Sequence, residues 1–310
     1  MQILTAPQVS EWLAHVDAVA VMRSLFASFA QGNVVQPPQV LTVLPDMDGA
    51  GDFINYSAAL AEPPVFGAKL SPYLPNSAGA KVTAWTLLMS STDGMPLLLC
   101  DAMALTVERT AATTALAVDL LAPQQGGILT VIGSGPVALA HLRLAAPLRA
   151  WTEIRCWSPA AASRADTIEQ VVPGTVVAAS KEQATAGAQV VLLCTSSAEP
   201  VVDPRLLESA ALVTSISTNA PGAHEVPPES LSALDVYCDY AETTPGLAAE
   251  MKAATAFGWS ADTLRGDLPT LAAGTAPSPE RCAFFRSMGL GCEDIAIAAA
   301  LHAALKSGSR

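Results

Sequence analysis

A glycine-rich stretch in the middle of the chain has the residue types and spacing of a dinucleotide-binding loop. Gly133, Gly135 and Ala138 fit the pattern G-x-G-x-x-A in ILTVIGSGPVALAH, between an apolar strand pattern and a helix pattern. The first glycine permits a tight turn, the second lets the backbone approach a pyrophosphate, and the small third residue lets the helix pack on the strand. The N–H groups at the start of the helix then face the phosphates. We therefore predict dinucleotide binding, with a ligand-free strand-to-helix turn as the alternative. The predicted cofactor-binding segment consists of Gly133, Ser134, Gly135, Pro136 and Val137.

The next strand pattern bears on the choice of dinucleotide. NAD sites place Asp or Glu at the end of this strand, about 20 residues past the loop. Here the strand ends at Ser158. Its hydroxyl can bind a 2′-phosphate, and Arg164 is close enough in sequence to pair with that phosphate, although Arg164 could equally be a solvated helix residue. This pattern favours NADPH and leaves NADH possible.

Further cofactor contacts are expected where the later strands end. The runs GTVVAAS, QVVLLCTSS, ALVTSIS and DVYCDY are short and apolar, as expected for strands buried on both faces. Ligands of such sheets bind at the carboxyl ends of the strands. This edge places Thr195 and Ser196 at the cofactor, with Asn219 as a weaker candidate.

Cations are scarce in the first part of the chain, which makes two of them conspicuous. Residues 1–115 contain four basic residues, Arg23, Lys69, Lys81 and Arg109, against nine acidic ones. Lys69 lies among apolar residues in FGAKLSPYLP, and Arg109 begins an apolar helix pattern in LTVERTAAT. Because burial of an unpaired charge is very costly, both must be paired or functional. A small carboxylate substrate suits both, and structural ion pairs, for example between Arg109 and Asp101, are the alternative.

The composition excludes several classes of partner. The 310 residues are 51% hydrophobic, enough for a large core, and the 16 Lys and Arg against 28 Asp and Glu give a net charge of −12. An acidic chain lacks the clustered cations that nucleic acids and anionic membranes require. No apolar run approaches the roughly 20 residues of a spanning helix. The start, MQILTAPQVSEWLAHVDA, lacks the basic region of a signal peptide and instead predicts a helix that begins at or just before Ser10.

The cysteines and histidines give no metal-binding pattern. The six cysteines are far apart, with no CxxC pair and no zinc spacing, and the four histidines are scattered. We therefore expect no metal, buried cysteines and a cytoplasmic location.

The organisation of the chain predicts an α/β protein. Up to about residue 100, the strands look antiparallel or mixed, and KVTAWTLLMSSTDGMPLLLCDA predicts a hairpin around STDG. VERTAATTALAVDLLA is a helix pattern. From residue 125 onward strands alternate with helices, which predicts a Rossmann-type doubly wound parallel sheet. The final helix, CEDIAIAAALHAALK, follows this sheet.

Three stretches resemble one known family. DAMALTVERTAATTALAVDLLA, VIGSGPVA and FFRSMGLGCEDIAIAAA, in this order, are similar to the ornithine cyclodeaminase/mu-crystallin family from about residue 30 to the end. The resemblance implies a discontinuous α+β substrate-binding and dimerisation domain of residues 1–115 with 290–310, and a Rossmann NAD(P)-binding domain of residues 116–289. It also implies a homodimer, a carboxylate grip by Lys69 and Arg109, and a place for Asp294 near the nicotinamide.

Two departures from the family pattern guide the choice of reaction. Many members carry a third substrate cation where Gln39 stands in QPPQV, and cyclodeaminases carry a catalytic Asp at a place that counting assigns to Glu250 in LAAEM. Cyclodeamination combines oxidation, loss of ammonia and reduction in one site, so it should tolerate such changes badly. The stretches PPQ and FGAKLSPYLP also resemble bacterial 1-pyrroline-2-carboxylate reductases.

The resulting hypothesis is NAD(P)H-dependent reduction of a cyclic imino acid. 1-Pyrroline-2-carboxylate or 1-piperideine-2-carboxylate would become L-proline or L-pipecolate, with Arg109 and Lys69 holding the carboxylate. Glu250 is either the carboxylate beside the protonated imine or an exposed helix residue. Ornithine cyclodeamination, alanine dehydrogenase-type reductive amination and a non-catalytic mu-crystallin-like binding protein remain alternatives.

Overall fold

The computed structural model describes residues 1–45, 51–76, 79–217 and 222–308. The chain forms two compact units, one of Met1–Arg109 with Gly289–Arg310 and the other of Thr110–Met288. The first crossing between the units lies inside a helix, α3 (Met103–Leu121), at a point six residues before the boundary that the sequence analysis assigned.

The first unit is built on an eight-stranded mixed sheet. Its strands are β1 (Gln2–Leu4), β2 (Val34–Val35), β3 (Val40–Val43), β4 (Asp52–Leu60), β5 (Val65–Asn76), β6 (Gly79–Val82), β7 (Trp85–Ser90) and β8 (Pro96–Asp101). They follow the order β1-β8-β7-β5-β4-β2, with β3 on β4 and β6 on β5. Every pair is antiparallel except β1 with β8, so the prediction of antiparallel or mixed strands is confirmed.

Short sequence patterns account for the β7–β8 hairpin and for the start of the first helix in this unit. The predicted hairpin is the pair β7–β8, in which the Ser90 N–H donates to the Met95 carbonyl at 2.9 Å across the STDG turn. The N-terminal helix was predicted at or just before Ser10, but α1 (Ala6–Leu13) begins earlier, directly after Thr5. The Thr5 N–H donates to the Gln8 side chain at 3.0 Å, an N-terminal capping contact that the apolar pattern alone does not reveal.

Two further helices complete the first unit. They are α2 (Ala18–Ala30) and α10 (Gly291–Gly308). The helix α10 packs against β4 and β5 on one face of the sheet and against α2. A Cβ on Gly67 of β5 would collide with the backbone of β7 and lie 2.9 Å from Ile295 of α10, so this glycine permits the close approach of helix and strand. Because α10 is buried on most sides, it is apolar around its circumference.

The second unit contains the predicted parallel sheet. Its strands are β9 (Gly127–Ile132), β10 (Trp151–Trp157), β11 (Val176–Val177), β12 (Val190–Leu193), β13 (Leu212–Ser215), β14 (Asp235–Cys238), β15 (Gly266–Asp267) and β16 (Ala283–Arg286). They are all parallel, in the order β11-β10-β9-β12-β13-β16-β14-β15. Every residue of β12, β13, β14 and β16 is buried, which explains why these strands show no polar alternation.

Helices and turns connect these strands. The helices are α4 (Pro136–Ala145), α5 (Ala165–Val171), α6 (Lys181–Thr185), α7 (Thr244–Leu247), α8 (Ala249–Ala254) and α9 (Leu268–Ala272). Short 3-10 turns cover Ala146–Leu148, Ala162–Arg164, Pro204–Leu206, Pro228–Ala233, Thr255–Phe257 and Ala261–Thr263. The strands β15 and β16 were not predicted. The strand β16, AFFR, enters the sheet between β13 and β14 although it follows them in sequence.

Among the described residues, no single helix has the length and apolar character to cross a membrane. Within those residues, only α1 and α2 counted as one segment have sufficient length and apolar character, and the chain bends by 84° between them.

Candidate functional site

Three elements of the first unit bring two cations and two carboxylates together. Lys69 lies on β5, Arg109 on α3, and Glu293 and Asp294 in the first turn of α10. Lys69 Nζ is 2.9 Å from Asp294 Oδ2, and Arg109 Nε is 3.0 Å from Asp294 Oδ1. Arg109 Nη1 is 3.0 Å from Glu293 Oε2. Asp294 therefore joins the two predicted cations. Asp101, the partner considered for Arg109, instead accepts a hydrogen bond from a backbone N–H at the start of α3.

Burial and the two neighbouring carboxylates together set the charge state of Lys69 and Arg109. Lys69 is 2% exposed and Arg109 is 5% exposed. Burial lowers the pKa of Lys69 to about 8, although the neighbouring Asp294 opposes the shift. Burial also disfavours the charged form of Arg109, but Asp294 and Glu293 outweigh it and raise the Arg109 pKa. Arg109 is thus permanently charged, and Lys69 titrates close to neutrality. Cations that are already fixed in place can bind a carboxylate with little reorganisation.

Tyr56 adds a third component, which the sequence analysis missed. It lies on β4 directly opposite Lys69 of β5, and the Lys69 ammonium is 4.3 Å from the centre of its ring. An ammonium at this distance is stabilised by the ring quadrupole. Burial raises the pKa of the Tyr56 hydroxyl, so this neighbour is neutral. Only the β4–β5 register reveals this contact.

The turn that leads into α10 fits closely around Arg109. Gly289 has φ +80°, and a Cβ on it would collide with the guanidinium of Arg109. Gln36 Oε1 accepts a hydrogen bond of 2.8 Å from the Cys292 N–H in α10. Gln39, which was predicted at the place of a third substrate cation, is half-buried immediately before β3. It is therefore Gln36 that contacts the helix carrying Asp294.

The glycine loop of the second unit leaves room for a ligand. Gly133 follows β9 with φ +137°, and its N–H donates to the Trp157 carbonyl at 2.8 Å. A Cβ on Gly133 would collide with the Cys194 carbonyl, so the backbone itself requires this glycine. A Cβ on Gly135 would meet no atom within 4 Å. Packing therefore does not require Gly135, and the open space beside it suits a pyrophosphate. In the described residues, no side chain caps the first turn of α4, which Pro136 begins.

A hydroxyl and a guanidinium lie on one side of this loop. Ser134 Oγ is 2.7 Å from Ser158 Oγ at the end of β10. Arg164 is exposed, and its Nη1 donates to the Ser134 carbonyl at 2.8 Å. The structure thus brings Ser158 and Arg164 to the loop, in the region where NAD sites have a carboxylate. Val137 lies in the first turn of α4, and its carbonyl is 2.7 Å from His141 Nδ1.

The loops after β12 and β13 contain a residue that the sequence analysis did not select. The N–H and Oγ1 of Thr195 donate to Glu225 Oε1 at 2.7 and 2.8 Å, and Ser196 is exposed. Glu225 is fully buried. Its place in the proline-rich stretch HEVPPE gives no sequence signal for burial. The predicted residue Asn219 lies outside the described residues.

Glu250 has a partner that the sequence analysis did not foresee. It lies in α8, is fully buried, and its Oε1 is 2.6 Å from Arg286 Nε at the end of β16. The alternative of an exposed helix residue is therefore wrong. Arg286 also donates to the Ser217 and Ser287 carbonyls. Because Glu250 neutralises a buried guanidinium, its surroundings favour a structural role over proton transfer.

In the ranges that the structure covers, no three or more His, Cys, Asp or Glu side chains are placed to hold a metal ion.

The fold and the loop define the class of the protein. A parallel sheet that reverses its strand order beside a glycine-rich strand-to-helix turn is the architecture of dinucleotide-dependent oxidoreductases. The chain belongs to the ornithine cyclodeaminase/mu-crystallin family, whose model matches residues 1–309. The resemblance and the fold class predicted from the sequence are thereby confirmed.

Relatives and solved structures extend over nearly the whole chain. The NAD(P)H-dependent anabolic L-arginine dehydrogenase DauB of Pseudomonas aeruginosa is 53% identical over 310 residues, 99% of this chain and 98% of that protein. Mouse ketimine reductase mu-crystallin is 26% identical, over 98% of this chain and 97% of that protein. The Thermococcus litoralis Δ1-pyrroline-2-carboxylate reductase structure, with NADH and L-proline, matches with a TM-score of 0.88 at 20% identity, over 99% and 98% of the two chains. At that identity the likeness concerns the fold.

Proposed function

We propose that this protein is an NAD(P)H-dependent reductase that converts the C=N bond of a 2-imino acid into the amine of an L-amino acid. The observation that carries the proposal is the buried cluster in which Asp294 holds Lys69 and Arg109 side by side. Arg109 Nε and Nη1 already contact Asp294 and Glu293. A substrate carboxylate would therefore be bound by the further N–H groups of the guanidinium together with the point charge of the Lys69 ammonium. The open glycine loop of the second unit supports the cofactor assignment.

The reaction requires few groups from the protein. A reduced nicotinamide supplies the hydride. Lys69 and Arg109 bind the carboxylate and so orient C2 of the substrate. When hydride adds to C2 of the protonated imine, the π electrons of the C=N bond become the lone pair of nitrogen. A proton from solvent then gives the ammonium form of the amino acid. Orientation by the two cations supplies much of the acceleration.

The first candidate substrate is the imino acid of arginine. The 53% identity to an L-arginine dehydrogenase spans almost both chains and supports an open-chain substrate with a guanidinium side chain. In solution, 2-oxo-5-guanidinopentanoate and ammonia supply this imine.

The second candidate is a cyclic imino acid, such as 1-pyrroline-2-carboxylate or 1-piperideine-2-carboxylate. The PPQ and FGAKLSPYLP stretches and the identity to a ketimine reductase support it. Both candidates present the same carboxylate and C=N group, so they use Lys69 and Arg109 in the same way.

For the cofactor, NADPH is the first choice. Ser158 and Arg164 lie beside the glycine loop, and both can hydrogen-bond a 2′-phosphate. Replacement of Arg164 by Leu should raise the KM for NADPH by about tenfold or more, the loss expected for one charge-assisted contact, and leave the KM for NADH unchanged.

We further propose a cytoplasmic homodimer that forms through the first unit. Large apolar side chains are exposed on β5 and β7, on the sheet face opposite Lys69. This set consists of Phe66, Leu70, Trp85 and Leu87. A contiguous apolar surface of this kind is typical of an interface. Light scattering with size-exclusion chromatography should give twice the chain mass for the wild type and the chain mass for Leu70→Glu.

Initial rates decide between the substrates. Purified protein is mixed with NADPH or NADH and either 2-oxo-5-guanidinopentanoate with ammonia or 1-pyrroline-2-carboxylate, and the amino acid formed is identified by mass. The proposal predicts cofactor oxidation with one of these imines, and loss of activity with Arg109→Met. If no imine is reduced, or if ornithine yields proline and ammonia without net cofactor oxidation, the proposal is wrong.

A further inference from the structure

One buried carboxylate joins the loops that follow β12 and β13. Glu225 Oε1 accepts hydrogen bonds from the N–H and Oγ1 of Thr195 at 2.7 and 2.8 Å. Its Oε2 accepts from Ser215 Oγ at 2.8 Å, from the Ile216 N–H at 3.0 Å and from the Ser217 N–H at 3.1 Å. Five donors therefore converge on a single side chain: two from Thr195 after β12, one from Ser215 at the end of β13, and two from residues 216 and 217 directly after β13.

The charge environment of Glu225 is unusual. The side chain is fully buried, and in the described part of the chain its side-chain contacts are N–H and O–H dipoles, without an ion pair. A buried carboxylate without a cation is costly unless its oxygens accept several hydrogen bonds. Here the backbone at Thr195, Ile216 and Ser217 must adopt one arrangement to supply these bonds. The Glu225 carboxylate therefore constrains the backbone at these residues, in addition to filling space in the core.

Glu225 also determines where the Thr195 hydroxyl points. The Thr195 Oγ1 donates to Glu225 and accepts from the Ser197 N–H at 3.2 Å. The Ser217 hydroxyl in turn donates to the Ser197 carbonyl at 3.0 Å. The sequence analysis assigned Thr195 to the cofactor, but this hydroxyl is engaged within the protein. What the loop can offer a ligand is its backbone and the exposed Ser196.

The place of these loops in the sheet indicates which half of a dinucleotide they serve. From β9 the sheet continues to β10 and β11 on one side and to β12 and β13 on the other. Dinucleotides bind across the place where the strand order reverses, here beside β9, with one mononucleotide on each half of the sheet. The glycine loop, Ser158 and Arg164 belong to the β9–β10 half. The loops after β12 and β13 therefore belong to the half opposite the adenosine.

We propose that Glu225 is a positioning residue that holds Thr195 after β12 and residues 216–217 after β13 in the arrangement required by the nicotinamide half of the cofactor. The inference rests on the proposed function, because it concerns the same dinucleotide. Glu225 is too deeply buried to contact the cofactor itself, so it acts through the two loops.

The experiment compares the whole cofactor with its adenosine half. Dissociation constants of NADPH and of 2′,5′-ADP are measured by calorimetry for the wild type, Glu225→Gln and Ser215→Ala. The substitution replaces one carboxylate oxygen of Glu225 by an NH₂ group, which cannot accept the hydrogen bonds that this oxygen accepts in the wild type. We expect Glu225→Gln to weaken NADPH about tenfold or more, the effect of one hydrogen bond to a charged group, and to leave 2′,5′-ADP unchanged. Ser215→Ala removes one of the five donors and should weaken NADPH less, in the same direction.

Asp235→Asn is the matched control. Asp235 is also buried and accepts three hydrogen bonds from Glu280 and Arg281, although it additionally forms an ion pair with the Arg281 guanidinium. It begins β14, at the amino ends of the strands, away from the carboxyl ends where Thr195 and residues 216–217 lie. The Asp235→Asn substitution should lower the melting temperature and leave the dissociation constants of NADPH and 2′,5′-ADP unchanged.

Three results would overturn the inference. They are an unchanged NADPH affinity in folded Glu225→Gln, an equal weakening of NADPH and 2′,5′-ADP, or the same NADPH loss in Asp235→Asn. If Glu225→Gln does not fold, Ser215→Ala decides in the same way. A wild-type protein that binds neither NADPH nor NADH would instead refute the proposed function, and with it the site that Glu225 is proposed to hold.

Discussion

The proposed binding of a carboxylate by Lys69 should depend on pH in a direction that the pKa of Lys69 defines. Burial lowers this pKa to about 8, and the ammonium is the form that attracts a carboxylate. As the pH rises through about 8, the protein loses that charge, and affinity must fall. Among the groups around Lys69, Arg109 remains charged and Tyr56 has a raised pKa, so neither titrates in this window.

The magnitude follows from the titration of one group. At a pKa of about 8, the charged fraction falls from about 90% at pH 7 to about 10% at pH 9. Affinity for a carboxylate should therefore fall by about tenfold for each pH unit above about 8, until binding through Arg109 alone remains.

The assay uses ligands without a C2 nitrogen, because the imine itself titrates. 5-Guanidinopentanoate or cyclopentanecarboxylate carries the carboxylate and no group that titrates between about pH 6 and 10. The dissociation constant is measured over this range in the presence of saturating oxidised cofactor. The wild type should show the fall above about pH 8.

Two variants test the assignment to Lys69. Lys69→Arg keeps a charge that does not titrate, so its affinity should be independent of pH over the same range. Lys81→Arg changes an exposed lysine of the same sheet and should retain the wild-type profile. A wild-type affinity that stays constant to pH 9.5, or an unchanged fall in Lys69→Arg, would refute the reasoning.

Three further predictions concern groups whose environments differ sharply. Asp294→Asn leaves two buried cations with a single carboxylate, so the unfolding free energy should drop by about 3–5 kcal/mol, measured by urea denaturation, and the midpoint of the pH profile should move below about 8. Gly135→Ala fills open space and should keep the melting temperature but lose cofactor affinity, whereas Gly133→Ala should lower both, as measured by thermal unfolding and calorimetry. Glu250→Gln leaves the Arg286 guanidinium buried without its carboxylate and should cost about 3 kcal/mol or more in unfolding free energy, while kcat per folded molecule stays near that of the wild type.

Each of these three predictions would be contradicted by a specific result. An Asp294→Asn variant as stable as the wild type would show that Glu293 alone neutralises the cluster. Unchanged cofactor affinity in Gly135→Ala would mean that the open space beside the loop is not a pyrophosphate site. A loss of kcat by about a hundredfold in folded Glu250→Gln, the size of an acid–base contribution, would restore the proton-transfer role first considered for this residue.

The sequence predicted the features that depend on local patterns. The glycine loop, the parallel strands around it and the β7–β8 hairpin each have a signature within about ten residues. Lys69 and Arg109 could be selected because cations are rare in apolar segments. Residues 69, 109 and 294 are distant in sequence, so their contact could not be derived from spacing.

The features that were missed depend on long-range packing. The burial of Glu225 and Glu250 follows from partners on other elements, and nothing in HEVPPE or LAAEM distinguishes these residues from solvated acids. Tyr56 meets Lys69 only through the β4–β5 register. The strand β16 is four residues long and joins the sheet out of sequence order, so no periodic pattern identifies it.

The central claim is a hydride transfer from a reduced nicotinamide to C2 of an imino acid. Its most direct test uses NADPH deuterated at C4 of the nicotinamide with the better of the two imines, followed by mass spectrometry and NMR of the amino acid formed. With deuterium at both C4 positions, the account predicts one deuterium at C2 for each molecule of NADPH oxidised, and none with Arg109→Met. An amino acid without deuterium, or formed without oxidation of the cofactor, would contradict it.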